Sequence, residues 1–335
     1  MPPPSPRHTP STLLHLRLPI VLLVLLLTLH ATPTHSTTSP KRGIVYVDPA
    51  SPSDDTIWSR PSNGLTWYYN YHSTPTPSLL KSAPHLSFVP MEWGASPSNS
   101  DTTFLSSIKD QLSSGANISH ILGFNEPDGP ASTGGSSLPP AVAAASWLRN
   151  IAPLRLPPYN LKAGLPAVTG SPRGITWLEA FNTSCLALNP GEGCAGDFLP
   201  IHFYGDFAGL ASHLGQMRAL YPRLGVWVTE FGLPEKGLAD TQAAFNTSLE
   251  YLDRLAEVER YSWFGAFRSS RSNVGVNAVF LDGQGQLTDL GSWYLGGRGP
   301  GKVPSRREGG RARGWGIGAG IVVVVVGMVG VVVDW

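Results

Sequence analysis

Eight short apolar or aromatic runs recur along the chain, at 43–47, 65–71, 86–93, 120–125, 161–168, 197–204, 226–230 and 261–267. Their length is that of strands, and several are almost wholly apolar, as in parallel strands covered on both faces. Between or after them lie segments that can form helices: 102–113, 140–151, 176–188, 210–220 and 241–259. In the last of these, Ala244, Leu249, Leu252, Leu255 and Val258 share one face, and Glu250, Asp253, Glu257 and Glu259 lie mainly opposite. Alternation of strand and helix restricts the chain to an α/β fold with a parallel sheet. Eight units over about 250 residues predict a single (β/α)8 TIM barrel. A doubly wound sheet has the same alternation but usually carries a Gly-rich nucleotide loop after an early strand. This chain has no G-x-G-x-x-G or Walker loop.

The two ends read differently. Residues 1–36 combine Arg7, His8, His15 and Arg17 with an apolar core at 18–29 and a polar leader, the layout of a secretory signal peptide. The apolar core is shorter than the roughly 20 residues a spanning helix needs. The barrel domain is assigned to 41–295, followed by a Gly- and Arg-rich spacer at 296–316 and an apolar tail at 317–335. Small residues, a spacer and a terminal apolar run follow the order of a GPI-anchor signal, and a transmembrane helix is the competing reading. Arginines at 306, 307, 311 and 313 would lie in the cytosol for a transmembrane helix, in conflict with a cleaved leader. A secreted, surface-anchored chain is therefore expected. Two cysteines, Cys185 and Cys194, flank an Asn-Pro-Gly turn and are expected to close a local disulfide. Asn117, Asn182 and Asn246 are N-glycosylation acceptors by pattern. Formal net charge is +1 and no basic cluster lies inside the domain, which argues against nucleic acid. Neither cysteine has a metal-spaced partner, and no cofactor, metal or partner subunit is expected.

Polar residues collect where the strands end: Asn70, Glu92, Glu126, His202, Tyr204, Glu230 and Arg268. The carboxyl ends of the strands are where barrel sites are built. Glu126 and Glu230 each follow a buried-looking run, and a lone carboxylate there is costly, so the pair suggests one shared site. Two carboxyl groups, one protonated and one ionised, are what glycoside hydrolysis requires. Pro127 is expected to hold Glu126 extended, and the amide of Asn125 can bond a sugar hydroxyl. Trp93 and Trp263, at strand ends, are the aromatics expected to stack on sugar faces. Trp67, Tyr69 and Trp177 are equally readable as core.

Six ordered motifs add to this: Trp67-Tyr68-Tyr69-Asn70, Phe88-Val89-Pro90-Met91-Glu92-Trp93-Gly94, Leu122-Gly123-Phe124-Asn125-Glu126-Pro127-Asp128, Pro166-Ala167-Val168, His202-Phe203-Tyr204-Gly205 and Thr229-Glu230-Phe231-Gly232. Across residues 41–294 the chain resembles glycoside hydrolase family 128, the β-1,3-glucanases. The resemblance implies a retaining enzyme with Glu126 as acid/base and Glu230 as nucleophile. It also implies that Asn125 contacts the sugar 2-hydroxyl, that Tyr204 or His202 orients Glu230, and that the substrate is a β-1,3-glucan of a fungal cell wall. Glu92 departs from that pattern: it can bind sugar, point outward, or replace Glu126 as the acid. A non-catalytic glucan-binding protein and a transglycosylase are the alternatives, and retention of both glutamates favours an enzyme.

Overall fold

The computed structural model describes residues 39–47 and 51–302, together with 1 and 304. The expected leader and apolar tail, and most of the spacer, lie outside the described residues. No helix among those described is long and apolar enough to cross a membrane.

Among the described residues eight strands form in the predicted places: β1 (Gly43–Val45), β2 (Trp67–Tyr69), β3 (Ser87–Phe88), β4 (His120–Leu122), β5 (Lys162–Gly164), β6 (Phe198–Tyr204), β7 (Gly225–Gly232) and β8 (Val258–Trp263). The helices are α1 (Asp55–Trp58), α2 (Pro77–Ser82), α3 (Thr103–Ser113), α4 (Pro140–Ser146), α5 (Ala152–Arg155), α6 (Pro172–Leu188), α7 (Phe207–Leu220), α8 (Leu238–Arg254) and α9 (Asp289–Tyr294). Every strand pairing is parallel, in the orders β1-β2-β3 and β4-β5-β6-β7-β8. Parallel bridges at Arg42–Tyr261 and Met91–Leu122 join the two sheets at both edges. The result is an α/β fold with a curled parallel sheet, as the alternation of runs predicted.

Several strands are shorter than their apolar runs. Pro90 and Pro166 have no N–H to give the ladder. Pairing resumes beyond them, through Met91 N–H to the His72 carbonyl and Ala167 N–H to the Phe124 carbonyl, both at 3.0 Å. The helix expected over 241–259 ends at Arg254 instead, and Val258 and Glu259 belong to β8. Lys41 marks that end: its ammonium donates to the carbonyls of Leu252, Asp253 and Leu255 at 2.8–3.1 Å, meeting the orphan acceptors of the last turn. Apolar spacing alone ran on from helix into strand because both bury a face. Between α4 and α5, residues Trp147–Ile151 widen into a π turn. Pro153 cannot donate to the carbonyl four residues back, which disrupts the α pattern there. Cys185 and Cys194 form the expected disulfide, with Cα atoms 5.3 Å apart.

A bulge in β7 decides which residues face the inside of the curl. Trp227 lies against Phe198 of β6, Trp67 of β2 and His120 of β4, with ring centroids 4.1–5.4 Å apart, so it points inward. In a regular strand Glu230, three residues on, would point outward. The register passes from Ile201–Val228 to His202–Glu230 on one side and from Val228–Tyr261 to Phe231–Trp263 on the other. One extra residue, Thr229, thus restores Glu230 to the inner face, a use of bulges common beside functional sites.

Candidate active site

Glu126 and Glu230 meet inside the curl. His202, fully buried on β6, lies between them: Nδ1 is 3.0 Å from Glu126 Oε1, and Nε2 is 3.5 Å from Glu230 Oε1. Glu230 is 4 % exposed. Its Oε1 accepts from the hydroxyls of Tyr69 and Tyr71, each at 2.8 Å, and its Oε2 accepts from Tyr204 at 2.7 Å. Three phenols therefore solvate the two oxygens of one carboxylate, replacing the water it loses on burial. Burial first, and then the charge of Glu230, hold all three hydroxyls well above the usual phenol range, so they remain donors. For His202, burial opposes the charged form, but Glu230 and Glu126 outweigh it and raise the imidazole above its ordinary value. Among the described residues no Arg or Lys pairs with either glutamate; the His202 imidazole is the basic group beside them.

The backbone at Glu126 corrects one expectation. It is not extended before Pro127 but left-handed, with φ of 39°. Tertiary hydrogen bonds override the local preference: Glu126 N–H donates to the Ala167 carbonyl at 2.7 Å, and its own carbonyl accepts from Gly129 at 2.8 Å. Asp128 ties the same turn to the segment after β5, accepting from the Thr169 amide at 2.8 Å and from its hydroxyl. Tyr71 is also left-handed, with φ of 65°. Such conformations cost a non-glycine residue of order 1–3 kcal/mol and persist where surrounding contacts over-determine them.

The other predicted site residues divide. Tyr204 orients Glu230, while His202 bridges both carboxylates. Asn125 is 4 % exposed; its Nδ2 donates to the Gly134 carbonyl at 3.0 Å, and its Oδ1 is buried without a protein partner. Half-buried Trp93 lies beside it, its carbonyl accepting from Asn125 N–H at 2.9 Å. Asn70 does not reach the carboxylates: its amide donates to the Thr74 carbonyl and the Thr76 hydroxyl and accepts from His72 N–H. Trp263 is a core residue, 1 % exposed, packed on Phe231 and Phe245, with its indole N–H on the Ala278 carbonyl at 2.7 Å. Arg268 pairs bidentately with Asp54 at 2.6–2.7 Å. Glu92 points outward into the helix layer, where Ser146 of α4 donates to Oε1 at 2.8 Å and Oε2 has no partner among the described residues. Desolvation pushes its carboxyl up to about 8.

Sequence reasoning named Tyr69 only as an aromatic and passed over Tyr71; neither was read as a donor to Glu230. Their two-residue spacing after Trp67 is a same-face signal, and a buried Tyr hydroxyl needs a partner. The register that brings them to β7 is tertiary. Glu126, His202 and Glu230 place ligand-type atoms within 4.8 Å of one another, as a divalent ion requires. The two ring nitrogens of His202 face different carboxylates, however, and phenol hydrogens already occupy both oxygens of Glu230. That donor set suits a bare anion better than a metal.

Comparison with known proteins agrees with this geometry. The family described as "Glycosyl hydrolase catalytic core" matches residues 43–294. Alkali-sensitive linkage protein 1 of Schizosaccharomyces pombe is 30% identical over 269 residues, covering 78% of this chain and 45% of that protein. The chain thus spans about half the length of this curated relative. An endo-β-1,3-glucanase of glycoside hydrolase family 128, subgroup II, from Pseudomonas viridiflava superposes with a TM-score of 0.62 at 27% identity, over 77% of this chain and 98% of that one. A subgroup I endo-β-1,3-glucanase from Amycolatopsis mediterranei, solved with laminaritriose, gives 0.57 at 25% identity, over 77% and 99%. With the family match running from β1 to α9 and enclosing every residue of the carboxylate cluster, the chain belongs to the glycosyl hydrolase catalytic core family.

Proposed function

We propose that this chain hydrolyses β-1,3-glucan with net retention of configuration, on eight strands closed as a (β/α)8 barrel. Closure is supported by the parallel bridges at both sheet edges. The substrate is supported by the family 128 β-1,3-glucanases that the chain covers over nearly their whole length. One observation carries the reaction: two carboxylates face each other across a buried imidazole, with oxygens within 4.8 Å, and one of them is ringed by phenol donors. Retaining enzymes keep their carboxyl groups about 5–5.5 Å apart, whereas inverting ones leave room for a water.

In this reading Glu230 attacks the anomeric carbon while Glu126 gives its proton to the departing glycosidic oxygen. Glu126, now a carboxylate, takes a proton from water, whose oxygen displaces Glu230 and restores both groups. The anionic charge moves from Glu230 to Glu126 and back, and His202 touches both positions. Asn125 Oδ1 offers an acceptor to a sugar hydroxyl, and Trp93 an apolar face at the entrance. A secreted, anchored enzyme of the cell wall is part of the same proposal, supported by the disulfide and by the sequence of the two ends.

Laminarin digested in deuterated water and followed by proton NMR tests the reaction. The β-anomer of the new reducing end should appear first and mutarotate later; first appearance of the α-anomer would overturn retention, and no release from any β-glucan would overturn hydrolysis.

A further inference from the structure

We infer that Asn70 is a positioning residue for the reaction, acting on the nucleophile through Tyr71 and not through the sugar. The inference rests on the hydrolytic reading above and on observations independent of it.

Tyr71 reaches Glu230 from an unusual place. β2 ends at Tyr69, and a continuing strand would carry the chain past the site. At Tyr71 the backbone instead turns left-handed, a conformation an aromatic residue rarely adopts unaided. Tyr71 does not favour that turn by itself, being neither Gly nor Asn. The preceding side chain supplies what is missing. Asn70 Oδ1 accepts from His72 N–H at 3.1 Å, spanning Tyr71 from one side to the other as an Asx-type turn. Its Nδ2 donates to the Thr74 carbonyl at 3.0 Å and to the Thr76 hydroxyl at 3.1 Å, fixing the far end of the loop just before α2. Beyond the turn, Met91 N–H takes the His72 carbonyl and docks the loop on the chain after β3. Every hydrogen-bonding group of the amide but one acceptor lone pair is thereby engaged within the loop, and the residue is 7 % exposed. Such an amide has little left to offer a sugar. What it holds is the hydroxyl of Tyr71, 2.8 Å from Glu230 Oε1.

Tyr69 and Tyr204 sit on regular strands and need no such brace. Tyr71 is the donor of the three whose place depends on a loop, so loss of Asn70 should remove one donor from Glu230 and leave two. A donor to an ionised group contributes about 10- to 100-fold in rate.

The test is a double-mutant cycle on the full chain with laminarin: wild type, Asn70→Ala, Tyr71→Phe and the double variant, each with kcat and KM. Tyr71→Phe should lower kcat about 10- to 100-fold, and Asn70→Ala about tenfold, with KM within about threefold of wild type for both. The double variant should be no slower than Tyr71→Phe within about threefold, because an absent hydroxyl cannot be mispositioned. Raised KM with unchanged kcat in Asn70→Ala, or losses that multiply in the double variant, would overturn the inference in favour of direct sugar binding. Thr76→Val removes one of the loop bonds more gently; if Asn70→Ala does not fold, a fall in kcat at constant KM in Thr76→Val supports the brace, and a wild-type rate refutes it. A crystal structure of the Asn70→Ala or Thr76→Val variant decides without activity: Tyr71 should leave Glu230 while Tyr69 and Tyr204 stay. A wild-type chain inactive on all β-glucans would sink the hydrolytic reading alone, and the crystal structure would still judge Asn70.

Discussion

Glu230 and Glu92 are both carboxyl groups beside strands, 4 % and 6 % exposed, yet they live in opposite surroundings. Glu230 faces the inside of the curl and receives three phenol hydrogens, with an imidazole alongside. Glu92 faces the helices, receives one serine hydroxyl, and leaves an oxygen unpartnered. A buried carboxylate must replace its lost hydration with donors or give up its charge. The contrast teaches that burial alone does not separate two carboxyl groups; the number of donors aimed at each, and the face of the sheet it occupies, do. The third glutamate, Glu126, sits between these extremes, half-buried and bonded to His202.

Glutamine and alanine substitutions break the contrast most directly. Glu230→Ala should lower kcat on laminarin by on the order of 10⁴-fold or more, while Glu92→Gln stays within about twofold. Equal losses would mean that the helix-side carboxyl takes part in the chemistry. Next in size is a pH effect confined to Glu92. With its carboxyl raised to about 8, the fold keeps a proton that the unfolded chain releases near 4.5, so this group's stability contribution is full below the unfolded value and is lost as pH rises towards 8. The whole slope is worth roughly 5 kcal/mol at most. Urea midpoints measured from pH 5 to 8.5 should fall for the wild type and stay flatter for Glu92→Gln; parallel curves would refute a neutral Glu92.

Smaller effects sharpen the Glu230 side. Tyr204→Phe and Tyr69→Phe should each cost about 10- to 100-fold in kcat, since each removes a charge-assisted donor. Smallest is a pair of tryptophans. Trp93→Ala is expected to raise KM several-fold by removing an aromatic face worth about 1 kcal/mol. Trp263→Phe, deep in the core, should leave KM unchanged and lower stability by about 1–3 kcal/mol. A KM effect at Trp263 would place it in the cleft after all.

Much of the fold could be read from periodicity. All eight runs contain or overlap a strand, because parallel strands buried on both faces must be apolar nearly throughout. The end of α8 was misplaced, since apolar spacing continues through Leu255 and Val258 although the backbone has already changed state. In the site, Glu126, Glu230, His202 and Tyr204 were legible as polar residues where strands end. Trp263 was not separable from Trp93, because exposure depends on what packs above a residue. Glu92 carried the same strand-end signal as Glu126 and Glu230 and belonged to the other face.

The sequence by itself determined the order of the eight strands and of five helices among them, the family, and the two glutamates, because these depend on residue type and on spacing along the chain. Tertiary structure decided everything that depends on approach between distant segments. It turned Glu230 inward through one extra residue at Thr229, forced Glu126 and Tyr71 into left-handed backbone, and brought Tyr69 of β2 and Tyr71 of the loop after it across to β7. Hydrogen bonds between distant segments overrule local preference when the buried groups they satisfy would otherwise go unpaired, and that accounting closes only once the sheet has curled.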